Sequence, residues 1–191
     1  VEREKDQRAV LDAMSVMRLL TKKADAINVG YIYLAEDAPY LSSRIFKKAL
    51  KDKVVERSAK NLEVYASALR QSQEIDDAIV VMEEAAKKAE TGQIYVNLSA
   101  IYLDGDKFKK AVEAGKKAVK KKGLKNPGEV HMYIGQAQLN LNQYKSAVAS
   151  FKKAAEDKRF KKYVPALIKY AEREETRAIE LKKSQREVGD V

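Results

Sequence analysis

The sequence contains no cysteine among its 191 residues. A disulfide framework, a zinc site built on thiolates and a cysteine nucleophile are therefore excluded. Residues that break helices are also few, with 8 Gly and 3 Pro, which argues against a turn-rich all-β fold and favours helices. No apolar run approaches the roughly 18 residues that span a bilayer as a helix. With 45% hydrophobic and 35% charged residues, we expect an ordered, soluble protein.

The residue types used in catalysis are scarce. The only histidine is His131, which we interpret as a half-buried packing residue rather than a general base. The sequence has no Gly-x-Ser-x-Gly elbow and no glycine-rich loop that could hold phosphates. The acidic run at 172–175 is typical of a solvated helix face and not of a metal site. We predict no enzyme activity, no cofactor and no metal, with a catalytic region upstream of residue 1 as an alternative.

Alanine recurs in pairs seven residues apart, and the pairs themselves recur. The spacings between the first alanines of successive pairs are 33 and 36 residues; the pairs are Ala78/Ala85, Ala111/Ala118 and Ala147/Ala154. Apolar residues at helical spacing precede each pair, and a short polar break, such as 104–106, separates the two halves. Within that break we expect Gly105 to adopt a left-handed conformation and Asp106 to cap the next helix. Each unit therefore predicts two antiparallel helices that must stack on neighbours to bury their apolar faces.

This pattern resembles the tetratricopeptide repeat (TPR), a helical hairpin of about 34 residues with small and large residues at fixed positions. Position 7 holds Val29, Tyr65, Leu98 and Ile134, position 8 holds Gly30, Ala66, Ser99 and Gly135, and position 24 holds Phe46, Met82, Gly115 and Phe151. The resemblance implies an all-α fold, a right-handed α-α superhelix (TPR solenoid) of about ten helices. Gly115 departs from the large residue usual at position 24. Because glycine inside a helix costs about 1 kcal/mol relative to alanine, we expect Gly115→Ala to stabilise the protein if the site has room.

The repeat register predicts the organisation of the chain. Residues 1–22 would form the second helix of a truncated repeat, and residues 23–161 four repeats (23–58, 59–91, 92–127 and 128–161). A capping helix at 162–187 and a disordered tail at 188–191 would follow. The sequence begins without Met or a signal-peptide core and within a helical pattern. We therefore expect a C-terminal fragment of a longer bacterial TPR protein, with the compartment, bacterial cytoplasm or periplasm, left open.

The resemblance also implies a concave groove, lined by the first helix of each repeat, that binds a peptide or helix of a partner protein. We predict that this groove is lined by Ile27, Tyr31, Leu34, Lys60, Glu63, Ser67, Arg70, Gln93, Val96, Asn97, Ala100, Met132, Gln136 and Asn140. TPR domains that bind the acidic tails of heat-shock chaperones use Lys and Asn in the first repeat and basic residues in the third. Ile27, Tyr31, Gln93 and Asn97 occupy those positions here, so that activity is excluded.

The positive charge is unevenly distributed. Residues 105–125 carry nine Lys against two acidic residues, while the whole chain has a formal net charge of +10. The resemblance places this basic patch, which comprises Lys116, Lys117, Lys120, Lys121, Lys122 and Lys125, on the convex side of the repeats.

The predicted function is a non-catalytic protein–protein interaction scaffold or adaptor, acting as a monomer or weak homodimer. The alternative is an electrostatic module that docks the basic patch on an anionic membrane or on nucleic acid. Nucleic acid is disfavoured because few aromatic residues lie between the lysines. Membrane contact is expected to be peripheral at most.

Overall fold

The structure is a computed structural model that describes residues 22–121, 123–124 and 126–189. All secondary structure in the described residues is helical, which confirms the all-α prediction. The chain divides into two compact units, Val1–Ala89 and Glu90–Val191, and each is described separately. The helix predicted for residues 1–22 lies outside the described residues, except for Lys22. This residue immediately precedes the first described helix.

The first unit contains two helical hairpins. Helices α1 (Lys23–Ala35) and α2 (Pro39–Lys51) form one hairpin, and α3 (Ala59–Gln71) and α4 (Ile75–Lys87) form the other. Helix α2 packs against both α1 and α3. The largest fully buried side chains of this unit are Ile45 and Phe46 of α2, Leu62 and Leu69 of α3, and Met82 of α4. Neither hairpin could bury these side chains alone, so the stacking of α2 on α3 supplies the core.

The second unit contains two hairpins and a long final helix. The hairpins are α5 (Gln93–Asp104) with α6 (Phe108–Lys120), and α7 (Pro127–Asn140) with α8 (Tyr144–Ala154). Helix α7 packs against both α5 and α6, and α9 (Val164–Gly189) packs against α8. Helix α9 begins two residues later than the predicted capping helix, with Pro165 in its first turn, where the missing N–H removes no helical hydrogen bond. It continues to Gly189, into the predicted tail, whose last two residues lie outside the described residues.

The turn inside each hairpin has the same backbone geometry. One non-glycine residue in each turn has a positive φ between 55° and 64°: Asp37, Gln73, Asp106 and Asn142. The next residue donates its N–H to a carbonyl five residues earlier, as from Lys107 to Tyr102 at 2.8 Å. The expectation for Gly105 was therefore wrong, because its φ is −92° and Asp106 takes the left-handed position. Asp106 does not cap α6 either, since Lys107 is the flanking residue and no side chain bonds to the helix start.

The helices of a hairpin cross where a small residue faces a large one. A Cβ atom added to Gly30 would lie 2.4 Å from the Phe46 ring, and one added to Gly135 would lie 2.6 Å from the Phe151 ring. The hairpin of α5 and α6 has small residues on both sides, Ser99 and Gly115. There the space over Gly115 is filled by Ile134 of α7.

The close approach of Ile134 reverses the expectation for Gly115→Ala. The new Cβ atom would lie 2.5 Å from Ile134 Cγ1 and 3.3 Å from Ser99 Oγ, and both side chains are buried. We expect the substitution to lower the free energy of unfolding by about 1–2 kcal/mol, because overpacking outweighs the gain in helix propensity. Denaturant unfolding measures this. In a double-mutant cycle with Ile134→Ala, the two losses should sum to more than the loss in the double variant; additive losses would contradict the contact.

Glu84 of α4 joins two basic residues of the first unit. Its carboxylate accepts a hydrogen bond from Arg57 Nε at 2.9 Å and one from Lys88 Nζ at 3.1 Å. These hydrogen bonds, from Arg57 above all, lower the pKa of Glu84 to about 2. Arg57 lies between α2 and α3, so the pair ties α4 to the segment that connects the two hairpins.

The lowered pKa of Glu84 gives its contribution a defined pH range. The folded-state pKa lies below the unfolded value of about 4.5, so the stabilisation is complete above pH 4.5 and is lost as the pH falls towards 2. Because the Glu84 side chain is 32% exposed, solvent screening limits the effect to about 1 kcal/mol. Glu84→Gln should destabilise the protein by that amount at pH 7 and by almost nothing near pH 2 in thermal unfolding. The exposed Glu36→Gln is the control; an equal loss there would contradict this role for Glu84.

Candidate functional site

The predicted groove residues of the first unit differ in accessibility. Tyr31 and Lys60 are exposed, whereas Ile27, Leu34, Glu63, Ser67 and Arg70 are half-buried. The Tyr31 ring packs edge-on against Phe46, with 6.5 Å between ring centroids, so its position is fixed by the core. Ser67 Oγ accepts a hydrogen bond from Gln71 Nε2 at 3.3 Å. This face therefore presents an aromatic ring on α1 and polar groups on α3.

The predicted groove residues of the second unit fall into two groups. Val96, Ala100 and Met132 are buried, which leaves their side chains inaccessible to a partner. Gln93, Asn97 and Gln136 are half-buried and Asn140 is exposed. Among the residues predicted for this part of the groove, the accessible ones are therefore all carboxamides.

The four carboxamides lie on two packed helices, and we call this set the amide face. Gln93 and Asn97 lie four residues apart on α5, and Gln136 and Asn140 lie four apart on α7, so each pair shares one side of its helix. Helices α5 and α7 contact each other. Asn140 Nδ2 donates to the backbone oxygen of Gln136 at 3.0 Å, which orients the Asn140 amide. Gln93 and Asn97 also interact within the chain.

The basic patch borders a cavity that the sequence did not predict. Lys116, Lys117 and Lys120 are exposed on α6 and Lys121 is half-buried, while Lys122 and Lys125 lie outside the described residues. Between α6, α7 and α8 is a cavity of about 260 Å³, which we call the cationic cavity. Its described lining residues are Lys116, Val119, Lys120, His131, Ile134, Gln138, Ala149, Ser150 and Lys153.

His131 is half-buried in the wall of this cavity, in agreement with its predicted burial. Burial lowers its pKa, and the positive charge of Lys153 lowers it further, while Glu156 acts in the opposite direction. The imidazole is thus held in its neutral form near pH 7. Among the described residues there is no group of three or more His, Cys, Asp or Glu arranged to hold a metal ion.

The sequence contains one signal for the cavity, a polar pair at positions that are apolar in other hairpins. Measured from the left-handed turn residue, Gln138 and Ser150 occupy positions that hold Tyr33 and Ile45 in the first hairpin and Leu69 and Val81 in the second. Both are buried, and Ser150 Oγ donates to Gln138 Oε1 at 2.7 Å. A glutamine and a serine that together replace two apolar residues of a repeat indicate a local polar pair. Lys153 carried no such signal, since exposed lysines are common on α8.

No helix in the part of the chain that the structure describes is both long enough and apolar enough to cross a membrane.

In a comparison with known families, residues 129–156 match a tetratricopeptide repeat. These residues cover most of α7 and α8. A comparison with curated proteins gives no match.

Solved structures with the same fold include a crystal structure of MamA, with 23% identity and a TM-score of 0.64, covering 82% of this chain and 94% of that one. MamA from Desulfovibrio magneticus RS-1, from residue 41 to its end, is 16% identical with a TM-score of 0.64, covering 85% and 96%. The TPR domain of Arabidopsis OM64 is 22% identical with a TM-score of 0.55, covering 59% and 93%. At these identities the likeness establishes the fold alone, and the prediction of the TPR fold is confirmed.

Proposed function

We propose that this chain is a tetratricopeptide repeat protein and a non-catalytic scaffold that binds a segment of a partner protein along the amide face. The repeat matched at residues 129–156 and the fold shared with solved TPR structures support the family. The observation that carries the proposal is the set of four carboxamides on α5 and α7. A carboxamide has N–H donors and an acceptor oxygen, so Gln136 and the exposed Asn140 can pair with the C=O and N–H groups of an extended segment.

The rigidity of the face supports the same function. Val96, Ala100 and Met132 are buried on the same two helices, so the carboxamides project from a packed support and not from a loop. A preformed face loses little conformational entropy when it binds, and more of the contact energy is left for affinity. None of the four residues is charged, and we therefore expect this binding to depend only weakly on salt.

Gln136 and Asn140 are the positions to test, because Gln93 and Asn97 also interact within the chain and their replacement could disturb the fold. A photo-crosslinking amino acid at Gln136 should capture a small, reproducible set of proteins in cells of the source organism, identified by mass spectrometry. Adding Asn140→Lys, which places a bulky charge on the exposed end of the face, should reduce that capture at least fivefold.

The matched control places the same photo-crosslinking amino acid at Ser146, an exposed residue of α8. It should not capture the same proteins. Identical sets of captured proteins from Gln136 and Ser146, or capture that is insensitive to Asn140→Lys, would contradict binding at the amide face.

A further inference from the structure

The cationic cavity combines an apolar floor with a positively charged rim. Val119, Ile134 and Ala149 supply apolar surface from three different helices. Lys116 and Lys120 of α6 and Lys153 of α8 are exposed at its edge. No acidic residue is among its described lining residues. The lysine stems can therefore cover an apolar group inside the cavity while their ammonium groups remain in water.

The wall of the cavity has a fixed polar group. Gln138 is only 7% exposed, and its amide oxygen accepts the hydrogen bond from Ser150. This bond orients the Gln138 side chain and leaves its N–H₂ group as a donor in a wall that also contains the neutral His131 ring. A ligand that enters the cavity thus meets apolar surface, hydrogen-bond donors and three positive charges, a set that favours an anionic group carried next to an apolar one.

We propose that the cationic cavity binds an acidic segment of a partner protein, which inserts one large apolar side chain between α6 and α8. The site is separate from the amide face, and the proposal does not depend on binding there. A volume of about 260 Å³ is below the usual range of roughly 300–1,000 Å³ for small-molecule sites and fits a single side chain better. Carboxylates that flank this side chain would lie near Lys116, Lys120 and Lys153.

The lining residues and the shape of the cavity disfavour the two other kinds of anionic partner, nucleic acid and an anionic membrane. None of the described lining residues is Phe, Tyr or Trp, so the cavity offers no surface on which a nucleic-acid base could stack. A bilayer favours several large apolar side chains that protrude, whereas Val119 is the one large apolar residue exposed among the described lining residues, and Ile134 is only 5% exposed. A peptide side chain can reach into the cavity while its neighbours contact the rim.

Three fluorescent heptapeptides provide the test. The first has a central Phe between glutamates, the second replaces Phe by Ser, and the third keeps Phe but replaces every Glu by Gln. Fluorescence anisotropy at 50 mM salt should show that the first binds at least tenfold more tightly than either of the others. Vesicles of phosphatidylglycerol and a single-stranded oligonucleotide are measured under the same conditions.

The variants separate the site from the general positive charge of the protein. Lys116→Glu with Lys153→Glu should weaken binding of the first peptide at least tenfold. Lys109→Glu with Lys152→Glu changes the net charge equally on the same two helices but away from the cavity, and should weaken it less than threefold. Ala149→Phe, which fills the cavity without changing charge, should abolish the preference for Phe over Ser in the peptide.

His131 reports occupancy directly, because the chain contains one histidine and its imidazole protons give isolated NMR signals. The first peptide should shift these signals and the second should not. The proposal is overturned if the first peptide does not bind at 50 mM salt, if the peptides with Phe and Ser bind equally, or if both lysine pairs have the same effect. Tighter binding to vesicles or to the oligonucleotide than to the first peptide also overturns it.

Discussion

The fold depends on the close approach of two helices at a small residue within each hairpin. At Gly30 and Gly135 the space next to the backbone is taken by Phe46 and Phe151, and these aromatic side chains are almost fully buried. Such contacts are possible only if the turn returns the chain in one orientation. The left-handed residue at positions such as Asp37 and Asn142, with the backbone hydrogen bond that follows it, fixes this orientation. The close contact between the two helices therefore depends on the conformation of the turn that joins them.

The third hairpin differs at its helix crossing, and this difference affects the shape of the cationic cavity. Because Ser99 and Gly115 are both small, neither fills the crossing, and Ile134 enters it from α7. Ile134 is also part of the cavity floor. The packing of α6 on α7 therefore positions Lys116 and Lys120 relative to Lys153 of α8. Gly115 is thus linked, through its contact with Ile134, to the geometry of the cationic cavity, which is formed by three helices.

Local pattern was enough to predict the helices in the part of the chain that the structure describes, because alanine spacing and polar breaks are short-range signals. It failed where two neighbouring residues compete for one turn position: Gly105 has the better intrinsic preference, yet Asp106 is left-handed because the closing hydrogen bond from Lys107 requires it there. Local pattern also failed to predict the effect of Gly115→Ala on stability. That effect depends on the contact with Ile134, which is nineteen residues away along the chain. The cavity joins residues of three helices, and only the Gln138 and Ser150 pair indicated it in the sequence.

The amide face and the cationic cavity rest on different physical forces. Carboxamides discriminate by hydrogen-bond geometry, which is short-ranged and nearly independent of salt, whereas lysines attract over about 10 Å at 0.1 M salt without defining a register. Both surfaces use helix α7, since it carries Gln136 and Asn140 on one side and His131, Ile134 and Gln138 on another. One packed helix can therefore carry both of the proposed binding surfaces, because successive residues of a helix point in different directions. The sequence of α7 accordingly has carboxamides on the side of the amide face, and a histidine, an isoleucine and a glutamine on the side of the cationic cavity.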